Sequence, residues 1–298
     1  MARHSPFERW RQRRIDYPLQ YLLVAGLFAL LRALPLDAAS AVGGWVGRTV
    51  GPRLPMTRRA RAHLARALPD LDEAARRRTI VAMWDNIGRV FAEYPHLGRM
   101  WDEGRVTVEG REHVAALVDD DRPGIIIGAH LANWEVPTMI GRPLGIALTM
   151  VYRHANNPGV DRLLARARSD AGARFVRKGP EAARGVFATL RGGGHVAMLV
   201  DQKLNRGLAL PFFGRTAMTT PAPSVFARSF DCPVVPMQTI REEGARFRIV
   251  FHPPMQVPRT GDAAVDDAAF MTTANAMIEG WIRERPAQWL WLHRRWKD

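Results

Sequence analysis

Short apolar runs and amphipathic stretches alternate along the chain from residue 105 to the C-terminus. The apolar runs are rich in β-branched side chains and are bounded by Gly, Pro and polar residues, the pattern of buried strands. We predict strands at 106–109, 125–128, 147–152, 174–177, 195–200, 234–240 and 247–251, and helices at 111–119, 133–141, 158–172, 180–191, 220–230 and 264–284. This alternation predicts an α/β fold with a mostly parallel sheet flanked by helices. The last two strands are expected to form an antiparallel hairpin at a sheet edge.

The N-terminal third has a different, helical pattern. Residues 19–36 are apolar apart from Gln20, Arg32 and a few small residues, and they approach the roughly 20 residues that a membrane span requires. A basic segment precedes them, but no small-residue cleavage site closely follows, which argues against a secretory signal peptide. A spanning anchor, a helix in the membrane interface and a buried core helix remain open, and we favour an uncleaved membrane anchor. The expected organisation is a basic segment and anchor at 1–36, a helical region at 37–104 and an α/β region at 105–298.

The chain is strongly basic, with 43 Lys and Arg residues against 29 Asp and Glu residues and a net charge of +14. Many of the arginines lie between residues 58 and 78, where Leu64, Leu68 and Leu71 recur at the spacing of an amphipathic helical segment. The excess predicts an anionic partner such as nucleic acid, anionic lipid or an acidic carrier, although a solvated charged face is the commoner outcome. The single Cys232 excludes an internal disulfide and a cysteine-based zinc site.

The most informative stretch is Gly-Ala-His-Leu-Ala-Asn-Trp-Glu at 128–135. It directly follows the apolar run at 124–127, so His130 is expected in a strand-to-helix turn, at the end of the sheet where α/β proteins bind their ligands. Glu135 could hold the imidazole in one tautomer and favour its protonated form. The pair would suit a base that takes a proton from a hydroxyl, whereas a random His and carboxylate pair is usually structural.

Other candidate residues follow neighbouring strands. Arg153 could bind a phosphate or carboxylate in a bidentate manner. Asp201 could position His130, bind an acceptor or simply pair with Arg153. Asn133 and Gln202 are further substrate-binding or accessory candidates.

Two aromatic segments leave their roles open. The turn at 211–214, Pro-Phe-Phe-Gly, could wall a hydrocarbon groove or serve only in packing. The tryptophans near the C-terminus lie beside basic residues, a combination that suits a membrane interface or stacking on single-stranded nucleic acid.

Several segments together resemble the lipid A biosynthesis acyltransferases, which add secondary acyl chains in lipopolysaccharide synthesis. They are, in order, N-I-G-R-V-F-A-E at 86–93, G-A-H-L-A-N-W-E at 128–135, V-Y-R at 151–153, V-D-Q-K at 200–203, P-F-F-G-R-T-A-M-T-T at 211–220 and P-A-Q-W-L-W-L-H-R-R-W-K at 286–297. The resemblance implies a glycerolipid-acyltransferase-like fold and makes His130 and Glu135 the catalytic pair. It also implies functional roles for Arg153 and Asp201.

The expected activity is transfer of a fatty acyl chain from acyl carrier protein to a hydroxyl of a lipid A precursor, at the cytoplasmic face of a bacterial inner membrane. No cofactor or metal is expected, because a thioester is already activated. Expected partners are the acyl carrier protein, the glycolipid acceptor and an anionic membrane surface, but no nucleic acid. The alternatives are an acyltransferase for another membrane glycolipid or phospholipid and, more distantly, a non-catalytic basic protein that binds membranes or nucleic acid.

Overall fold

The computed structural model describes residues 5–115, 117, 122–141, 143–152, 155–170, 172–177 and 180–297. The α-helices are α1 (Pro6–Arg11), α2 (Tyr17–Ala33), α3 (Leu36–Val50), α4 (Thr57–Ala67), α5 (Glu73–Glu93), α6 (Leu97–Met100), α7 (Arg111–Ala115), α8 (Pro158–Asp170), α9 (Pro180–Arg191), α10 (Ala222–Phe230) and α11 (Ala263–Glu284). The strands are β1 (Val106–Glu109), β2 (Gly124–Gly128), β3 (Leu148–Tyr152), β4 (Arg174–Arg177), β5 (His195–Leu199), β6 (Leu208–Phe212), β7 (Arg215–Thr219), β8 (Val234–Arg241) and β9 (Phe247–Phe251).

Within the described residues, seven strands form one sheet in the order β1-β9-β8-β2-β5-β3-β4. Neighbouring strands are parallel except for the β8–β9 hairpin. The expected α/β class with a mostly parallel sheet is therefore confirmed. The hairpin does not lie at the edge, however, because β1 pairs in parallel with β9 and covers it.

Strand β2 lies in the middle of the sheet and is buried along its whole length. Alternate side chains of this strand enter two separate cores. Ile125 and Ile127 belong to a core with residues of α4, α5, α9 and α11, whereas Ile126 belongs to a core with residues of α3, α6 and α7. Both faces of the sheet are therefore covered, as a continuous apolar run predicts for a central parallel strand.

One local prediction was wrong, and one hairpin was not predicted. The stretch predicted as a helix at 133–141 contains only the 3-10 turn Val136–Met139, because the Asn133 side chain bonds to the Glu135 amide and Pro137 lacks a donor.

The segment from 208 to 219, of which only the Pro-Phe-Phe-Gly turn was considered, forms a separate antiparallel hairpin of β6 and β7. Its turn residues Phe213 and Gly214 have φ of +53° and +66°, the backbone of a two-residue hairpin turn. Phe212 is fully buried and Phe213 nearly so, which supports the packing role for this turn.

Helix α2 continues a π-helical segment, and together they run from Gln12 to Ala33. By length and composition this is the one helix of the described residues that could cross a membrane. Leu31 is its one buried residue between 17 and 33, and Leu22, Leu23 and Leu30 are more than 60% exposed. A buried core helix is thus excluded, because most of its apolar side chains face away from the protein, although Phe28 and Leu31 pack against it.

Helices α3 and α5 pack at unusually close range through glycines. A Cβ atom added at Gly88 would lie 2.0 Å from the carbonyl oxygen of Gly43, and one added at Gly47 would lie 2.0 Å from that of Trp84. No side chain fits at these crossing points. The contact brings the polar residues at the C-terminal end of α5, in the segment 86–93, against both α3 and the α/β region.

The C-terminal tryptophans belong to the core. Trp281, Trp289, Trp291 and Trp296 are each at most 5% exposed. Arg295 is also fully buried, with its guanidinium over the Phe212 ring, and burial lowers its pKa to about 10. The interpretations of this segment as a membrane-interface or nucleic-acid-stacking surface were therefore wrong.

Candidate active site

Two adjacent parallel strands bring His130 and Asp201 to the same edge of the sheet. Strand β2 ends at Gly128 and strand β5 at Leu199, and these two residues are partners in the strand register. His130 and Asp201 each come two residues after the end of their strand. The pairing continues just beyond the strands, because the amide of Val200 donates to the carbonyl of Gly128 at 3.0 Å.

Asp201 binds the imidazole of His130 directly. Its Oδ1 lies 2.7 Å from Nδ1 of His130, and its Oδ2 accepts from the His130 backbone amide at 3.0 Å and from Nε1 of Trp289 at 2.8 Å. Burial by itself raises the pKa of Asp201, but the attraction of His130, its hydrogen bonds and the attraction of His293 outweigh burial. The net pKa is well below the usual range, so the carboxylate stays ionised.

Asp201 fixes the tautomer of the neutral His130 ring. An ionised carboxylate can only accept, so Nδ1 carries the proton that is donated to Asp201. Nε2, which lies 3.0 Å from the side-chain amide of Gln202, is then the nitrogen with the lone pair. A neutral imidazole in this state can accept a proton at Nε2.

Glu135 does not make the expected bond to the imidazole in the described part of the chain. It forms a bidentate ion pair with Arg168 of α8, with N–O distances of 2.7 and 2.8 Å. The orienting contact that the sequence assigned to Glu135 is made by Asp201 instead, since the neighbouring strand β5 delivers a carboxylate to Nδ1. The catalytic role of Glu135 stays a prediction.

Arg168 is enclosed by aromatic rings as well as by Glu135. Its guanidinium carbon lies 5.2–5.6 Å from the ring centres of Tyr94, Tyr152 and Phe175. Burial by itself lowers the pKa of Arg168, but the bonds and attraction of Glu135 raise it above its ordinary value. The pKa of Tyr94 is also raised, first by burial and then by Glu135. These contacts keep Arg168 positively charged beside the Glu135 carboxylate.

A cavity of about 610 Å³ lies against these groups. Its polar lining includes His130, Glu135, Arg168, Gln202 and Lys203. Most of the remaining wall is apolar and comes from β3, β5, α9 and α10, with Met150, Val186, Ala197, Met198 and Phe226 among its residues. The volume is within the range of about 300–1000 Å³ that is usual for small-molecule sites. The wall suits a hydrocarbon chain whose reactive end reaches His130.

The bacterial lipid A biosynthesis acyltransferase family has a model that matches residues 8–298. The chain belongs to this family. The resemblance drawn from the motifs is thereby confirmed, and the protein is an acyltransferase of lipid A biosynthesis.

Two relatives from Escherichia coli strain K12 match at similar levels. The lipid A biosynthesis lauroyltransferase is 26% identical over 285 residues, and the palmitoleoyltransferase is 25% identical over 283 residues. Each alignment covers 91% of this chain and 89% of the relative. Among solved structures, the 1-acyl-sn-glycerophosphate acyltransferase PlsC from Thermotoga maritima matches at a TM-score of 0.40 and 14% identity, covering 92% of this chain and 99% of that one.

The other residues that the sequence suggested for the site of this acyltransferase differ in their position relative to the cavity. Asn133 is fully buried and bonds to Glu93 and to the Glu135 amide, and it is not among the residues that line the cavity. Trp134 does line the cavity. Arg153 lies outside the described residues.

Sequence reasoning missed Arg168, Trp289 and His293. Arg168 is one of several arginines on an amphipathic helix, so no local pattern distinguished it. Trp289 and His293 lie in the segment 286–297, and its match to the family was the available signal. The ring of His293 lies 4.6 Å from that of His130, edge to face.

His130, Asp201 and His293 could together hold a metal ion. Their ligand atoms lie within 4.8 Å of one another, and imidazole and carboxylate are common ligands of zinc.

Proposed function

We propose that this enzyme transfers a fatty acyl chain from the thioester of acyl carrier protein to a hydroxyl of a lipid A precursor. The observation that carries the proposal is the His130–Asp201 pair at an apolar cavity. Asp201 binds Nδ1 of His130, and the opposite nitrogen, Nε2, lies beside the cavity-lining Gln202, which leaves Nε2 to act as the base. A base at the end of a hydrocarbon site is what hydroxyl attack on an acyl thioester needs.

In the proposed mechanism, the acceptor hydroxyl replaces the Gln202 amide at Nε2 of His130. As the hydroxyl oxygen attacks the thioester carbonyl, Nε2 takes its proton, and the buried Asp201 carboxylate stabilises the resulting imidazolium. The tetrahedral intermediate then breaks its C–S bond, and the imidazolium returns the proton to the thiolate. General-base catalysis of this kind contributes about two to four orders of magnitude in rate.

Glu135 and Arg168 supply the second part of the proposed site. The family resemblance makes Glu135 the catalytic partner of His130, and its pairing with Arg168 places a fixed charge pair on the cavity wall. We propose that the pair orients the acceptor beside His130. Donors for the oxyanion are proposed to be the Gln202 amide and Arg153.

The proposed setting is the cytoplasmic face of a bacterial inner membrane. The exposed apolar helix Gln12–Ala33 supports membrane attachment. The arginine face of α4, with Arg58, Arg61 and Arg66 exposed, supports attraction to anionic lipid headgroups and to an acidic carrier protein.

The test is mass spectrometry of lipids from membranes that carry this protein, in a host whose lipid A precursor lacks secondary acyl chains. We expect a lipid A species heavier by one acyl chain, absent when His130→Ala replaces the wild type at equal abundance. A phospholipid or another glycolipid gaining the chain would make that lipid the acceptor. No acylated product from any lipid would contradict the proposal.

A further inference from the structure

The turn that carries His130 contains a residue in the left-handed backbone region. Ala132 has a φ of +49° and is fully buried. Its amide donates to the carbonyl of Gln288 at 2.8 Å, and its carbonyl accepts from the Asn86 side chain at 2.9 Å. An alanine adopts this conformation only where its surroundings impose it. Here the imposed contacts come from α5 on one side and the C-terminal segment on the other.

Arg241 joins the two residues that hold Ala132. Its Nε donates to Oδ1 of Asn86 at 2.8 Å. Its backbone amide and carbonyl bond to the side chain of Gln288 at 2.9 and 2.8 Å. Arg241 is the last residue of β8, so the sheet itself supports both contacts to the turn.

Glu93 completes the arrangement. Its carboxylate pairs with both terminal nitrogens of Arg241 and also accepts from Ser40 at 2.6 Å and from Asn133 at 2.8 Å. Asn133 in turn accepts from the amide of Glu135 at 3.0 Å. Glu93 is fully buried and Arg241 is 7% exposed, so water does not compete for these bonds.

We propose that Asn86, Glu93, Arg241 and Gln288 form a clamp that positions the catalytic turn 130–135 without touching substrate. The clamp fixes the backbone between His130 and Glu135 at Ala132 and Asn133. This inference rests on the proposed function, in which His130 is the base. Misplacement of a reacting group by about 1 Å can cost about a hundredfold in rate, so an ion pair remote from the substrate can control turnover. Arg241 is suited to this because its rigid planar fork reaches Asn86, Glu93 and the Gly244 carbonyl through its three nitrogens, a geometry that the single ammonium of a lysine cannot reproduce.

The main test compares Arg241→Lys with the matched control Arg228→Lys. Arg228 forms a bidentate pair with Asp267 between α10 and α11, away from the turn. For Arg241→Lys we expect kcat to fall roughly 10- to 100-fold. KM for the carrier-bound donor should stay within about threefold, because the cavity wall is not altered. For Arg228→Lys both constants should stay near the wild type. A kcat of Arg241→Lys equal to that of the control would overturn the proposal.

Asn86→Asp is the second variant. It keeps an acceptor for Arg241, but it replaces the donor to the Ala132 carbonyl with an oxygen. We expect kcat to fall about tenfold or more, with KM retained. This variant keeps the proposal testable if Arg241→Lys does not fold. Wild-type kcat in folded Asn86→Asp would contradict the clamp.

Hydrogen exchange measured by mass spectrometry on the full-length, detergent-solubilised proteins provides a readout independent of the activity assay. In Arg241→Lys, exchange should increase across 129–136 and remain unchanged in β2 and β5. An increase spread over the whole sheet would show a general loss of stability and overturn the positioning role. If the wild type transfers no acyl chain, the proposed function fails, whereas the exchange pattern still decides whether the clamp exists.

Discussion

Replacing Asp201 by asparagine should leave the fold intact and invert the tautomer of His130. The Oδ2 atom of Asp201 accepts from two donors, the His130 amide and Trp289 Nε1. An asparagine must place its oxygen there, so its NH₂ group then faces Nδ1 of His130. Two donors cannot face each other, and Nδ1 must therefore become the acceptor. The proton moves to Nε2, where the imidazole can no longer act as the base.

The magnitude follows from the charge as well as from the tautomer. A carboxylate charge about 4 Å from an imidazolium charge contributes about 4 kcal/mol at an effective dielectric constant of about 20. Since about 1.4 kcal/mol corresponds to a factor of ten, its loss alone lowers kcat by roughly a thousandfold. The inverted tautomer lowers kcat further. In a serine protease, the equivalent substitution lowers kcat by about 10⁴-fold.

The assay is steady-state transfer from acyl carrier protein to purified acceptor by detergent-solubilised enzyme. Asp201→Asn should lower kcat by at least about a thousandfold while KM for the donor changes little, because Asp201 is buried behind His130. Glu135→Gln, which leaves the Asp201–His130 bond in place, serves as the comparison and should lose less activity. If Asp201→Asn retains more than a tenth of wild-type kcat, Asp201 does not orient the base.

Three further outcomes are expected. Val186→Phe, which fills part of the cavity, should shift donor preference to shorter acyl chains by at least about tenfold, measured by competition between carrier-bound chains. The depressed pKa of Asp201 stabilises the fold above the unfolded pKa of about 3.9, so this stabilisation should be lost as pH falls below about 4. In denaturant titrations, the free energy of unfolding of Asp201→Asn should fall less with decreasing pH than that of the wild type. Finally, the full chain should sediment with membranes and require detergent, and trimming residues 1–33 should weaken that attachment; recovery of the intact chain in a soluble fraction at low salt contradicts this.

Much of the fold could be predicted from the spacing of apolar residues along the chain. The strands of the parallel sheet could be placed because buried strands are short, apolar and rich in β-branched residues. The β6–β7 hairpin was missed because its turn requires positive φ at Phe213, which is unusual for a phenylalanine. The position of β1 outside β9 depends on long-range pairing that no local pattern encodes.

The site was only partly predictable for a related reason. His130 and Asp201 each follow a strand, so the rule for parallel sheets could place both at one edge. Which carboxylate binds the imidazole depends on strand order, since β5 lies beside β2. Sequence proximity favoured Glu135, whereas spatial proximity selected Asp201. The pairing of Glu135 with Arg168 joins positions 33 residues apart and leaves no local signal.

The central claim is that His130 is the base for acyl transfer to a lipid A precursor. The most direct measurement is a single-turnover reaction of purified enzyme with labelled acyl carrier protein and the precursor, for the wild type and His130→Gln. We predict labelled, singly acylated lipid A precursor from the wild type and a rate at least about a hundredfold lower for His130→Gln. Near-normal transfer by a folded His130→Gln protein would contradict the account.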